Sequence, residues 1–242
     1  MRQTYFISDL HLSENLPDIL HAFYQFLDSH MTSNVDALYI LGDFFEVWVG
    51  DDYETPFTLG IAERLNQLAE KNINVYFVHG NRDFLVGKRF AARASITLLP
   101  EQSVIDLYGT PTVILHGDEM CTQDEAYQAF RRKSRGWWWP RLMLAMPLWY
   151  RKRVARQARE KSKLSQMDKP PEVLDVTQDA VTKMFEKFAV KNMIHGHTHR
   201  PNIHKNEVFG STRTVLGDWY TQSSYIVANE NGLSLHCDPF AK

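Results

Sequence analysis

The chain has 242 residues, 44% hydrophobic and 23% charged, with a net charge of −2, which excludes a disordered or fibrous polymer and allows one large domain or two small ones. Its two cysteines, Cys121 and Cys237, lie far apart in no CxxC pattern, which argues against a disulfide framework or a thiolate zinc site and fits a reducing cytosol. No apolar h-region follows the opening MRQTYFISDL, and no apolar run of about eighteen residues occurs, so neither a secretory signal nor a transmembrane helix is expected.

The first apolar run, residues 5–7, reads as a buried strand and leads into Ser8-Asp9-Leu10-His11. Leu16, Ile19, Leu20, Phe23, Phe26 and Leu27 then recur at helical spacing. A second strand, residues 37–41, runs into Gly42-Asp43-Phe44-Phe45, and Ile61, Leu65 and Leu68 mark a second helix. Strands at 75–78, 112–115 and 193–194 lead into His79-Gly80-Asn81-Arg82-Asp83, His116-Gly117-Asp118 and His195-Gly196-His197-Thr198-His199, and residues 225–228 form a last strand. Strand–helix alternation predicts α/β layers around a mostly buried sheet.

Five of these strands end in polar, potentially ligating residues. Loops at one edge of an α/β sheet are where sites concentrate, so five such loops predict one shared site. If the chain stays extended, Asp9 and His11 point to one face, and His197 and His199 repeat that geometry. Gly42 and Gly80 allow sharp turns that bring Asp43 and Asn81 to the edge, and His116 joins them from another strand end. Carboxylate, imidazole and amide ligands suit Mn²⁺, Zn²⁺, Fe²⁺ or Mg²⁺. His21 and His30 read as helix-surface residues, and His79 and His195 as residues that orient the ligands rather than bind metal. His204 and His236 receive no role.

The ordered motifs DLH, GDFFEVW, GNRD, HGD and GHTH, spanning residues 9 to 199, resemble those of the calcineurin-like metallophosphoesterases. By that resemblance one metal takes Asp9, His11, Asp43 and His199, the other takes Asp43, Asn81, His116 and His197, and Asp43 bridges. Two cations about 3.5–4 Å apart acidify a water held between them and neutralise charge on phosphate oxygens. The usual third motif of the family has a histidine that protonates an alkoxide leaving group, whereas this chain has Arg82 there. Arginine is no acid near neutral pH, but a phosphate leaving group, with a second pKa of about 6, needs none. Arg82 therefore favours a phosphoanhydride substrate, its guanidinium gripping a phosphate. The alternative is that Arg82 merely pairs with Asp83.

Residues 131–163 carry twelve Lys and Arg against one acid, Glu160, a local net of +11 that leaves −13 for the rest of the chain. Trp137, Trp138, Trp139, Leu142, Met143, Leu144, Met146, Leu148, Trp149 and Tyr150 are mixed among these charges. Three readings compete: an interfacial segment on anionic lipid or acyl chains, a single-stranded nucleic-acid surface, and a solvated basic face with tryptophans in the core. The bulk of the aliphatic residues favours lipid.

DLHLSE, GDFFEVWVGDD, HGNRDFL, HGDEMCTQD and MIHGHTHRP are similar to the UDP-2,3-diacylglucosamine diphosphatases, a branch of this family that acts in lipid A synthesis in Gram-negative bacteria. That resemblance covers essentially the whole chain. It implies an α/β fold, a four-layer αββα sandwich formed by residues 1–122 and 168–242, with a basic, aromatic helical cap at 123–167. It also implies two Mn²⁺ per chain and peripheral association with the cytoplasmic face of the bacterial inner membrane. The implied partners are a lipid-linked nucleotide-sugar and an anionic membrane surface, with no nucleic acid and no obligate protein partner. A hydroxide activated by the two metals would attack the α-phosphorus and release UMP and 2,3-diacylglucosamine 1-phosphate. Asp43, Asn81, Arg82 and His197 are the implied catalytic residues, and Asn81, Arg82, Asp124, Ser162, Lys169 and His197 the implied substrate contacts. Gln166 aligns where relatives often have asparagine. The competing enzyme reading is a metallophosphoesterase of nucleic acid or a soluble nucleotide, and the non-enzymatic one is a scaffold module, which should have lost ligands.

Overall fold

Side chains alternate across a strand, so each buried strand here serves two cores at once. In β1 (Gln3–Ile7), Tyr5 and Ile7 face one way and Phe6 the other. The structure, a computed structural model, describes residues 1–167, 169–205 and 210–240, the side chains of residues 166 and 167 excepted. After β1 come α1 (Pro17–His30), β2 (Val35–Ile40), α2 (Pro56–Glu70), β3 (Asn74–Phe77), α3 (Lys88–Arg93) and β4 (Ile96–Leu98). The strands β5 (Gln102–Leu107) and β6 (Thr110–Leu115) form a hairpin, followed by a 3-10 turn at Asp118–Met120. Three helices come next: α4 (Glu125–Ser134), α5 (Trp139–Ala145) and α6 (Leu148–Met167). The chain closes with α7 (Gln178–Phe188), β7 (Asn192–His195), β8 (Asn202–Lys205), β9 (Thr212–Val215), β10 (Gln222–Asn229) and β11 (Gly232–Pro239).

The strands form two sheets, ordered β11-β10-β1-β2-β3-β4 and β5-β6-β7-β9-β8. Three apolar clusters show the layering. Ile19, Phe23, Ile61 and Leu65 of α1 and α2 pack with Tyr5, Ile7, Leu38, Ile40, Val75 and Phe77 on the outer face of the first sheet. Phe6, Leu41, Val78 and Ile226 meet Ile114, Ile194 and Leu216 between the sheets. Val113, Leu115 and Met193 pack outward against Val181, Met184 and Phe185 of α7. Helices, sheet, sheet, helix is the four-layer α/β sandwich. Burial of this apolar surface, at roughly 25 cal/mol per Å², is what holds the layers together.

Topology decides where the strand ends fall. β1, β2 and β3 are parallel, with Ile7 opposite Ile40 and Ile40 opposite Phe77, so their C-terminal ends align. β6 and β7 are also parallel, with Ile114 opposite Ile194. The loops after these five strands are the ones that carry the polar motifs.

Six strands lie where the apolar runs place them. β5, β8 and β11 at sheet edges, the three-residue β4, β9 beside the edge, and helices α3 and α7 are additional. Leu38 in the middle of β2 is fully buried, so Leu38→Ala should cost about 2–5 kcal/mol, read as a lower urea midpoint at unchanged denaturant slope.

Candidate metal centre

The expectation that Asp9–His11 and His197–His199 are extended is corrected by the backbone. Asp9 has φ 56°, His11 52°, His197 69° and His199 55°, and Asp43 has φ 49°. Each sits in the left-handed region, where a side chain costs about 1–2 kcal/mol. Alternate left-handed residues fold each loop back on itself and turn its side chains inward. Gly42 adopts φ 84°, as its turn requires, whereas Gly80 is needed for space: a Cβ there would stand 2.1 Å from the Asp43 backbone nitrogen.

These loops gather the ligand side chains into two groups, Asp9 with His11 and His199, and Asp43 with His116 and His197. In the first, His11 Nε2 lies 3.3 Å from His199 Nε2, which is 3.5 Å from Asp9 Oδ1. In the second, His116 Nε2 lies 3.0 Å from Asn81 Oδ1, 3.1 Å from His197 Nδ1 and 3.6 Å from Asp43 Oδ1. His116 Nδ1 is 2.8 Å from the Leu41 carbonyl, which only accepts, so Nδ1 carries the proton and Nε2 is left as a ligand atom. The groups adjoin: Asp9 Oδ2 accepts from the His197 backbone N–H at 2.8 Å and from Ser8 Oγ at 2.6 Å.

The electrostatics fit divalent cations. Asp9 Oδ1 is buried with no hydrogen-bond partner. Burial alone would raise the Asp9 carboxyl, but His199, 3.5 Å from Oδ1, with His116 and His11, holds it well below the usual carboxylate range. Burial would lower His116, yet the carboxylates of Asp43, Asp9 and Asp118 push it up to about 9. His197, buried and beside His116, is lowered to about 4. The extra proton that these carboxylates draw to His116 would sit on Nε2, the position a divalent cation would take, so the same negative field favours a cation there.

Asp118, Tyr127 and Arg131 support the site with no sequence signal of their own, whereas Asp83 reads in the sequence only as a candidate partner of Arg82, and His79 and His195 are the residues expected to orient the ligands. Asp83 is fully buried, its Oδ1 accepting from Gly80 N at 2.8 Å and its Oδ2 from Phe44 N at 2.8 Å and Phe45 N at 3.3 Å. It clamps the loops of Asp43 and Asn81 together, and burial, with the Asp43 charge, raises its carboxyl to about 6. Arg82 therefore does not pair with Asp83; its backbone N–H donates to Asp43 Oδ1 at 2.8 Å and its Nε lies 3.7 Å from Asp43 Oδ2. Asp118 accepts from Tyr127 Oη and from Arg131 Nε at 2.8 Å, and Tyr127 stacks on His197 at 6.0 Å. His195 stays neutral, lowered to about 3 by burial and by Arg213, and His79 Nε2 is 2.7 Å from the Val86 carbonyl, tying the Asn81–Arg82 loop at its far end.

Asp124 and Lys169 come together, with Lys169 Nζ 2.7 Å from Asp124 Oδ2, while Asp124 Oδ1 also accepts from Tyr127 N as the N-cap of α4. Ser162 is half-buried on α6. The side chain of Gln166 lies outside the described residues. His30 is no plain surface residue: it packs 4.8 Å from Phe26 and 5.0 Å from Tyr225.

Asp83→Ala would leave three buried backbone N–H groups without an acceptor, each costing about 1–3 kcal/mol. The expected outcome is a loss of about 3 kcal/mol or more in denaturant unfolding, with weakened Mn²⁺ binding.

Residues 3–201 match the family model of calcineurin-like phosphoesterases. A protein of Shewanella loihica named UDP-2,3-diacylglucosamine hydrolase is 49% identical, over 100% of this chain and 99% of that relative. One of Photobacterium profundum with the same name is 44% identical, over 99% of this chain and 98% of the relative. With its motifs gathered at one edge of a four-layer sandwich, the chain belongs to the calcineurin-like phosphoesterase family, beside relatives named UDP-2,3-diacylglucosamine hydrolase.

Proposed function

We propose that this protein hydrolyses the pyrophosphate of UDP-2,3-diacylglucosamine to UMP and 2,3-diacylglucosamine 1-phosphate, a step of lipid A synthesis. The observation that carries it is Arg82. Its guanidinium is largely buried, its Nε has no hydrogen-bond partner, and it lies beside the metal-ligand carboxylate of Asp43. Its carboxylate contact among the described residues, Asp43 at 3.7 Å, is too long for a hydrogen bond and is itself a proposed metal ligand, so the guanidinium keeps N–H donors for the substrate, whose phosphate oxygens a forked guanidinium fits.

Asp9, His11, Asp43 and His199 would hold one divalent cation, and Asp43, Asn81, His116 and His197 the other, with Asp43 shared and manganese the proposed metal. Two cations there supply neutralising charge and an acidified water. Arg82 and Asn81 bind the oxygens of the α-phosphoryl group and hold it in line. Water adds its oxygen to the α-phosphorus and gives up a proton to solvent, while the bond to the bridging oxygen breaks and its electron pair leaves with the sugar phosphate. The departing sugar phosphate needs no proton from the protein, because its second pKa is about 6. His197, as a proposed metal ligand, would keep one ring nitrogen for the cation, and its other ring N–H would donate toward the phosphoryl oxygens.

The division into a core of residues 1–122 and 168–242 and a cap of 123–167 is part of the same proposal. Among the described residues no helix is long and apolar enough to cross a membrane. Trp137 is 78% exposed and Trp149 66%, with Trp138, Leu142 and Leu144 also exposed, so these tryptophans are not core residues. Exposed indoles among basic residues fit acyl chains and an anionic surface, which supports the reading of a protein held peripherally at the cytoplasmic face of the inner membrane. Asp124, Ser162 and Lys169 are proposed substrate contacts on this side. The Asp124–Lys169 ion pair would then have to open or share its charges with the substrate.

Asp43→Ala and Asn81→Ala should abolish turnover with the fold retained, and Arg82→Ala should lose about 10²–10³ in kcat/KM. Hydrolysis in ¹⁸O water should label UMP; label in the sugar phosphate, or faster turnover of an alkyl phosphomonoester than of the nucleotide diphosphate-sugar, would contradict the proposal.

A further inference from the structure

Among the described residues, helix α6 reaches toward the metal centre through the side chain of Arg159. Glu46, in the loop after β2, stands between Arg159 of α6 and His11 of the metal centre. Its Oε1 accepts from the Arg159 guanidinium of α6, and its Oε2 lies 3.2 Å from His11 Nδ1. Both Oε2 and His11 Nδ1 are buried, and neither makes a well-aligned hydrogen bond to anything else. Two such atoms at that distance are each other's only available partners, and a small rotation of the carboxylate aligns them. Nδ1 then carries the His11 proton toward Glu46, which leaves Nε2, the atom facing His199, as the ligand.

The backbone on either side is already fixed. Leu12 N donates to Phe44 O at 2.8 Å, and Glu46 N donates to Leu12 O at 3.1 Å. Only the Glu46 side chain is free to respond, and its position is set by what α6 offers. The same helix has a second grip on this loop about two turns away. Arg151, almost fully buried, donates from Nη1 to Val49 O at 2.6 Å and to Asp52 Oδ1 at 2.7 Å. That grip seats the helix without touching a ligand, whereas Arg159 reaches one through Glu46.

We infer that Arg159 and Glu46 are positioning residues that couple the seating of α6 to metal affinity: Arg159 fixes the Glu46 carboxylate, and Glu46 fixes the tautomer and orientation of His11. This rests on the reading of the cluster as a metal centre and extends it to the cap helix. Because coupling is reciprocal, metal occupancy and a seated α6 favour each other.

The test is titration of the full chain with Mn²⁺ alone, followed by loss of the free-ion electron paramagnetic resonance signal. Glu46→Gln should weaken Mn²⁺ binding about tenfold. Arg159→Met, which keeps the apolar stem, should weaken it about threefold or more, and should add nothing further in the Glu46→Gln background. Asp52→Asn, which loosens the other grip but leaves the Arg159–Glu46 contact in place, should weaken affinity by less than Arg159→Met does. Wild-type affinity in Glu46→Gln, an equal Arg159→Met effect with and without Glu46, or an Asp52→Asn effect as large as that of Arg159→Met would overturn the coupling while leaving the metal centre standing. A wild-type protein that binds no Mn²⁺ would overturn the metal reading and the coupling with it.

Discussion

Buried negative charge is the constraint around which this molecule is arranged. Asp9 and Asp43 are almost fully buried at the end of a close-packed sandwich, a position that a carboxylate tolerates only when paired. Four imidazoles and the amide of Asn81 converge on them, five of the seven ligand residues adopt left-handed backbone, and Asp9 Oδ1 remains without a donor. Strain of about 1–3 kcal/mol at each such residue persists only where the surroundings over-determine it. Here the parallel strands, the Asp83 clamp and the glycine contact between the loops of Asp43 and Asn81 provide that support. The scaffold sustains an arrangement that is costly without cations and favourable with them.

Much of this was legible in the sequence, for identifiable reasons. β1, β2, β3, β6, β7 and β10 are buried on both faces, so they appear as unbroken apolar runs. β5, β8 and β11 lie at sheet edges, where polar residues such as Asn202, His204 and Lys205 interrupt any run. The division into two sheets was not legible from periodicity, because alternation tells which residues share a face but not which face meets which. The ligand types stood out because they follow the strand ends directly. Their conformation did not, since Asp and His in left-handed backbone leave none of the signature that glycine does. Asp83 was visible as an acid, but its work is to accept backbone N–H groups, and a pairing with Arg82 was the simpler sequence reading. Asp124 likewise caps α4 as well as facing Lys169, a role that only the helix start reveals.

The segment holding α4, α5 and α6 presents two different surfaces, which suits the proposed lipid-linked substrate. Its outer surface exposes Trp137, Trp149 and Leu164 among basic residues, which suits acyl chains. Its inner side sends Arg131 to Asp118, Arg135 to the Gly80 carbonyl and Arg159 to Glu46. The same residue type fixes the loops of the metal centre where it is buried, and where it is solvated it would suit the proposed anionic surface.

Anomalous diffraction from crystals soaked in Mn²⁺ tests the central claim most directly. The account predicts two peaks about 3.5–4 Å apart, one within Asp9, His11 and His199 and one within Asn81, His116 and His197, with Asp43 reaching both. No peak among these residues, or a single peak held away from Asp9 and Asp43, would contradict it.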